Sequence, residues 1–592
     1  MINNLQLRLV SSPGDRGTFS PARSILRRST AGVLLALFFV FGGGSLNSLI
    51  AATSTWTGDT SLSQNWSFGL NWGVTAPTSA TTTDLIFAGT TNTGSAGTPL
   101  NNDIANPFIL NSIAFSSSTS SFFLGGNALR FNGAGDTITQ NSASAESIAN
   151  NIDATAKTGN NTETITLTGD GTGIVTLSGN ILVGNGLRDY AITKSGTSTF
   201  VLAGANTYTG GTTLTAGTLK LSGSGTLGGT SGALTVNGGM LDLNGTNQGV
   251  GNFTGSGGTI LNNNTGTNVT LTIGNGNGSG GNYSGVIVDH ASGTGTVALT
   301  KTGTGTITLS GANTYTGATT ISGGTLQLGN GGTTGSLSTS STITDNGNLT
   351  INRSNAVAQG TDFSGGAISG TGSLTQAGSG ATTLSAANTY TGGTTVSAGT
   401  LFVNNSTGSG TGTNTVTVNG SGTLSGSGTT TGAVNIGGSG AKINPGATAV
   451  AVGTLRTGAL TLSTASTFSV DMTSTTADQL IVTGAVNLTS ASLQLNIPNG
   501  TAFTAGQQFT LINNDLADAI SGTFSNAPTG TDSIGGYLWV VSYTGGDGND
   551  FLLVAVPEPS TWLAAALALG AIGFSQRKRL RACVSSGARK HF

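Results

Sequence analysis

The sequence predicts an all-β chain: a right-handed parallel β-helix, or solenoid, with capping β-rich ends, flanked by an N-terminal signal and a C-terminal hydrophobic helix. Three observations predict it. A cassette of about thirty residues occurs at 192–221, 299–328 and 374–403, and its cores GANTYTGGTTLTAGTLKL, GANTYTGATTISGGTLQL and AANTYTGGTTVSAGTLFV superpose without a gap. Inside each copy the apolar residues alternate with period two, as at Phe200 and Leu202 or Leu219 and Leu221, and Gly or Asn bounds each set. That pattern describes short strands with one buried face. Strands so short are unstable singly, so the cassettes are expected to stack, each covering its neighbour's apolar face, in coils of roughly 20 to 25 residues.

Taken from the N-terminus, residues 1–52 read as a secretory signal. Arg23, Arg27 and Arg28 precede the apolar run Ala31 to Leu46, and small residues place cleavage after Ala51 or Ala52. Residues 53–185 read as an N-terminal β-rich cap with the first coils, and 186–455 as the repetitive solenoid. From 456 to 555 larger side chains replace small ones, among them Phe468, Phe503, Phe509, Phe524, Trp539 and Tyr543. An exposed solenoid end is an adhesive strand edge, and bulky residues there predict a C-terminal β cap. The last segment, 556–592, carries Pro557, Glu558 and Pro559, then the apolar run Trp562 to Phe574, then the basic cluster Arg577, Lys578, Arg579 and Arg581. Positive charge beyond an apolar run stays on the cytoplasmic side of a membrane. The run 562–574 is therefore expected to contact the inner membrane transiently as a short helix and to hold the precursor by its C-terminus.

Composition excludes several functions. Of 592 residues, 98 are Gly and only 7% are charged, while 36% are hydrophobic, which separates the chain from charge-driven disorder. Between residues 53 and 555 there are nine Lys and Arg against twenty Asp and Glu, a net charge of −11. Nine scattered cations form no phosphate-binding patch, so nucleic acid is excluded as a partner. The one cysteine, Cys583, lies in the basic tail, and neither a disulfide nor a cysteine metal site is expected.

Candidate site residues are few. Asn206, Asn313 and Asn388 recur at one turn of the cassette, where Asn tolerates left-handed backbone, bonds its own turn and can form ladders between stacked copies. The stretch Gly545 to Leu553 fits a calcium-binding nonapeptide, but such sites form between adjacent copies, and a single copy reads as a hairpin turn. Asp289 and His290 stand side by side, yet any of many serines would complete a triad with them, so they read as turn residues. Asp242, Asp289, Asp345 and Asp362 are spaced too irregularly to define an acid/base pair. No catalytic residue, metal ligand or cofactor is assigned. No strands of about ten alternating residues precede Phe592, so no translocating barrel is expected.

The cassette resembles the autotransporter-associated β-strand repeat of bacterial passenger regions. The Trp-rich stretch TWTGDTSLSQNWSFGLNWG and the section beginning INPGATAVAVGTLRTGALTLS are similar to the two ends of that family. The order Pro-Glu-Pro, apolar run, basic cluster resembles a PEP-CTERM sorting signal, with a longer tail than usual. This resemblance implies that Pro557, Glu558, Pro559, Arg577, Lys578 and Arg579 are recognition residues for a membrane protease of the exosortase type. It also implies export machinery as a partner and a final location at the cell surface or in the extracellular matrix. The expected function is that of a secreted structural or adhesive protein with surface polysaccharide as a candidate partner, and not an enzyme. The alternative is a β-helix lyase or hydrolase acting on polysaccharide.

Overall fold

The computed structural model describes residues 52–58, 62–116, 120–154, 162–183, 189–278, 280–515, 518–556 and 567–579. The chain divides after Leu49 into two units. The first unit, and with it the expected signal up to Ala51, lies outside the described residues.

The second unit is nearly all β, because its short alternating segments can bury their apolar side only by pairing with one another. From Thr83 onward the chain visits three sheets in turn. Thr83–Phe87, Leu100–Asn102 and Phe108–Leu110 each belong to a different sheet, and Ser112–Phe115 returns to pair in parallel with Thr83–Phe87. The same circuit repeats through Tyr190–Lys194. Farther on, sheets of five, eleven and seven strands continue the arrangement. This path is compatible with a β-helix and forms no closed barrel. Inward columns of Leu, Ile, Val and Phe fill one continuous core.

Coil length varies more widely than the sequence predicts. Phe200 pairs with Leu219 and Ile307 with Leu326, 19 residues apart, whereas Trp56 pairs with Phe87, 31 residues on. Strand registry fixes only the paired segments, and the corners absorb insertions at small entropic cost.

Both ends of the core are aromatic. Near the first strand, Ala52–Trp56, the rings of Trp56 and Trp72 meet edge to face at 5.0 Å and those of Trp66 and Phe108 at 5.5 Å. Such pairs add to the area that they bury. At the other end the pairing changes sense: Gln508–Asn514 continues the parallel stack, but Asp550–Ala555, Tyr537–Gly545 and Gly530–Ile534 follow it antiparallel. Phe503 packs there against Trp539 at 4.9 Å and Tyr537 at 5.0 Å. Gly545 to Asp550 is a hairpin turn closed by Gly548 N–H donating to Gly545 C=O at 2.8 Å, as the single nonapeptide copy predicts.

The cassettes do not stack on one another. Within the first copy Ile192 pairs with Thr212 and Phe200 with Leu219, so the second half of a cassette lies on its own first half. The second copy does the same at Leu299 with Thr319 and Ile307 with Leu326, and the third at Leu374 with Thr394 and Leu401 with Thr382. A cassette is thus longer than one coil and covers itself. The copies also differ in phase: the second begins in the five-stranded sheet, the third in the eleven-stranded sheet that holds the second strand of its predecessor.

Candidate functional site in the repeat cassettes

The positions common to the three copies converge on the corners between strands. Asn206, Asn313 and Asn388 are 4%, 2% and 2% exposed, too deep for their amides to go without partners. Asn206 Oδ1 accepts from Ile181 N–H at 2.8 Å, one coil back, and its Nδ2 donates to Thr226 C=O at 2.8 Å, one coil ahead. Asn313 binds Ile287 N–H at 3.0 Å and Ser336 C=O at 3.1 Å in the same way, and Asn388 binds Ile368 N–H at 2.8 Å and Gly410 C=O at 2.7 Å. Each Asn therefore clamps three successive coils where the regular ladder lapses. The predicted ladder of Asn on Asn does not form, because the neighbouring coils are not cassettes. Nor do these three residues take the left-handed backbone; Asn92, Asn244 and Asn277 do.

Two residues after each Asn, Tyr208, Tyr315 and Tyr390 are fully buried, and their hydroxyls bond Thr212, Thr319 and Thr394 at 2.7, 2.8 and 2.6 Å. Burial raises all three phenols well above their usual range. Nine residues after the Tyr, Gly217, Gly324 and Gly399 hold φ of +68°, +62° and +61°. A Cβ there would lie 2.4, 2.5 and 2.1 Å from the carbonyl oxygens of Gly196, Gly305 and Gly380 on the coil behind. Only glycine meets both demands.

A further shared position escapes sequence reading as a site. Lys194 and Lys301 point inward and are fully buried. Lys301 Nζ donates to Thr302, Gly303 and Gly323 C=O at 2.7, 3.3 and 3.1 Å, and Lys194 Nζ does so to Ser195, Gly196 and Ala216 C=O. Burial lowers both amines, Lys194 to about 8. The third copy has Gln376 here, whose Nε2 donates to Gly378 and Gly380 C=O at 2.8 and 3.1 Å. The alternation at Ile192-Thr193-Lys194 contained the signal, since it assigns Lys194 to the inward side.

The acids of the repetitive region serve local structure. Asp289 Oδ1 accepts from Val297 N–H and Thr316 N–H at 2.9 and 3.0 Å, and its Oδ2 from the Thr316 hydroxyl at 2.6 Å. Asp189 holds the N–H and hydroxyl of Thr209 alike in the first cassette. His290 Nδ1 contacts Gly295 C=O at 3.1 Å, closing its own turn. Asp362 pairs with Arg353 at 2.8 Å, and Asp242 approaches Lys220 at 3.7 Å while accepting Asn244 and Asn263 N–H. No group of three or more His, Cys, Asp or Glu able to hold a metal ion occurs among the described residues.

Pro557, Glu558 and Pro559 lie outside the described residues, as do 562–566 of the expected membrane run. Residues 567–579 are helical and exposed, with Arg577, Lys578 and Arg579 in the last turn, where cations complement the helix dipole. No helix among the described residues is long and apolar enough to cross a membrane. This corrects the expectation that a C-terminal helix at 562–574 anchors the precursor: a helix over 567–579 rises about 20 Å against a hydrocarbon core of about 30 Å, and it ends in three cations.

The chain matches the family model of the passenger-associated-transport-repeat at residues 192–221, 299–328 and 374–403, the limits obtained by aligning the sequence with itself. It also matches the PEP-CTERM protein-sorting motif at residues 555–579. No curated protein matches the chain. The sorting motif implies export to the cell envelope or surface and recognition by exosortase-type processing machinery, and neither matched family denotes an enzyme.

Proposed function

We propose that the protein is a secreted structural or adhesive rod of the bacterial surface or exopolymer matrix, built as a right-handed parallel β-helix and released at its C-terminal sorting signal. The observation that carries this reading is the placement of that signal. The sorting-motif match starts at Ala555, the last residue of the strand Asp550–Ala555, so the recognition segment follows the folded body with no intervening domain. The side chains that recur in the cassettes support a scaffold role, because Asn, Tyr, Gly and Lys are all engaged in joining coils. In this reading Pro557, Glu558 and Pro559 are read by the protease, and Arg577, Lys578 and Arg579 keep the tail at the cytoplasmic face.

Mass spectrometry of the exported protein tests the proposal. The mature form is expected to end near residue 560, and Glu558→Ala is expected to accumulate full-length precursor in the membrane fraction. Recovery of peptides containing Cys583 from the extracellular fraction would refute it.

A further inference from the structure

Most of the solenoid surface is smooth, but on one outer face loops rise over the strands and enclose a hollow. Asp471 and Asn496 are neighbours across the parallel strands Thr467–Asp471 and Ser492–Asn496, on the side opposite the buried Phe468, Val470, Leu493 and Leu495. Outward residues of such strands are normally wet, yet Asp471 is only 7% exposed. The segment through Val450 and Val452 covers it on one side and the turn Thr473–Thr476 on another; Gly453 N–H donating to Asp478 Oδ1 at 2.8 Å ties the first to the strand that follows. The cavity measures about 320 Å³ and has aliphatic walls of Val450, Val452, Met472, Ile497 and Pro498.

The polar side of the hollow lacks a cation. Asp471 Oδ1 accepts from Asn496 Nδ2 at 2.9 Å, but Asp471 Oδ2 is buried without a partner. Asp478, which is fully buried, lies close enough to repel it: both Asp478 oxygens are taken by backbone N–H groups of Gly453 and Asp471, and burial followed by the Asp471 charge pushes its carboxyl up to about 7. Among the described residues no Lys, Arg or His pairs with either acid. A buried carboxylate oxygen is costly unless paired, and here the chain supplies no partner.

We propose that this hollow binds an alkylammonium group, with the charged nitrogen at Asp471 Oδ2 and the methylene stem against the aliphatic walls. Of the groups proteins meet, the end of a lysine side chain from a partner chain has this form: a compact cation on a four-carbon apolar stem. The cavity is at the small end of ligand sites and admits one such side chain rather than a peptide segment.

Methyl-labelled NMR of the exported protein, titrated with n-butylammonium, tests the site. The methyl signals of Met472 and Ile497 should shift saturably at millimolar concentration, while n-butanol, which has the stem without the charge, leaves them unmoved. Asp471→Asn should weaken the response at least tenfold. Because that variant alters a buried group, Val450→Ser serves as the second: Val450 is 84% exposed, so its loss spares the fold and should weaken binding severalfold. Absence of a saturable shift in the folded protein would overturn the proposal. So would an equal response to n-butanol, unchanged binding by Asp471→Asn, or a response to glucosamine without one to n-butylammonium.

Discussion

Replacing Asn206 by Ala removes the clamp of the first cassette and leaves two named backbone groups without partners. Ile181 N–H loses its acceptor at 2.8 Å, and Thr226 C=O loses its donor at 2.8 Å. Asn206 is 4% exposed, so water does not reach these groups without local opening. Each stranded buried group costs about 1–3 kcal/mol, and partial relaxation places the sum at about 3 kcal/mol. A solenoid behaves as a quasi-one-dimensional array, so the loss is expected to stay near coils 181 to 226 and to be diluted in any global melting curve. Hydrogen exchange read at single amides is therefore the assay. Exchange at Ile181 should accelerate roughly a hundredfold, which is what about 3 kcal/mol represents. Amides in the third cassette, around Leu401, should be unaffected. Asn206→Asp separates the two arms, since it keeps an acceptor for Ile181 N–H and loses the donor to Thr226. Its Ile181 amide should stay protected. If Ile181 in Asn206→Ala exchanged at the parent rate, the claim that this side chain joins three coils would be wrong.

Two other outcomes follow from the same geometry. Burial pushes Glu146 up to about 7, Asp345 to about 6 and Asp478 to about 7, so the folded chain holds protons that the unfolded chain releases near pH 4. Their stabilising contribution is complete below that pH and is lost as pH rises through 6 to 7, an effect on the order of 3 kcal/mol for Glu146. Thermal melting should thus occur at lower temperature at pH 8 than at pH 5, and Glu146→Gln should reduce the difference; an unchanged pH profile in that variant would contradict the assignment. Lys301→Gln should be nearly neutral by urea denaturation, because Gln376 fills the equivalent place in the third copy, whereas Lys301→Met strands carbonyls of Thr302, Gly303 and Gly323 and should cost about 2–4 kcal/mol locally. Equal stability of the two variants would show that those bonds contribute little.

The sequence alone determined what depends on near neighbours. Alternation at Leu219 and Leu221 assigned their inward side, and both are buried while Lys220 between them is half-exposed, because side-chain direction in a strand has period two whatever the strand pairs with. The turn at Gly545 to Asp550 and the aromatic ends were legible for the same reason, since turn chemistry and side-chain bulk are local properties. Tertiary structure decided which coils touch. Coil length varies from 19 residues at Phe200 to 31 at Trp56, and that variation, invisible to periodicity, places each cassette on itself rather than on its copies. It therefore set Asn206 against Ile181 and Thr226, gave Lys194 its carbonyl partners, and folded Val450 over Asp471. Contacts between residues 20 to 30 positions apart depend on the summed length of the intervening corners, and no local pattern records that sum.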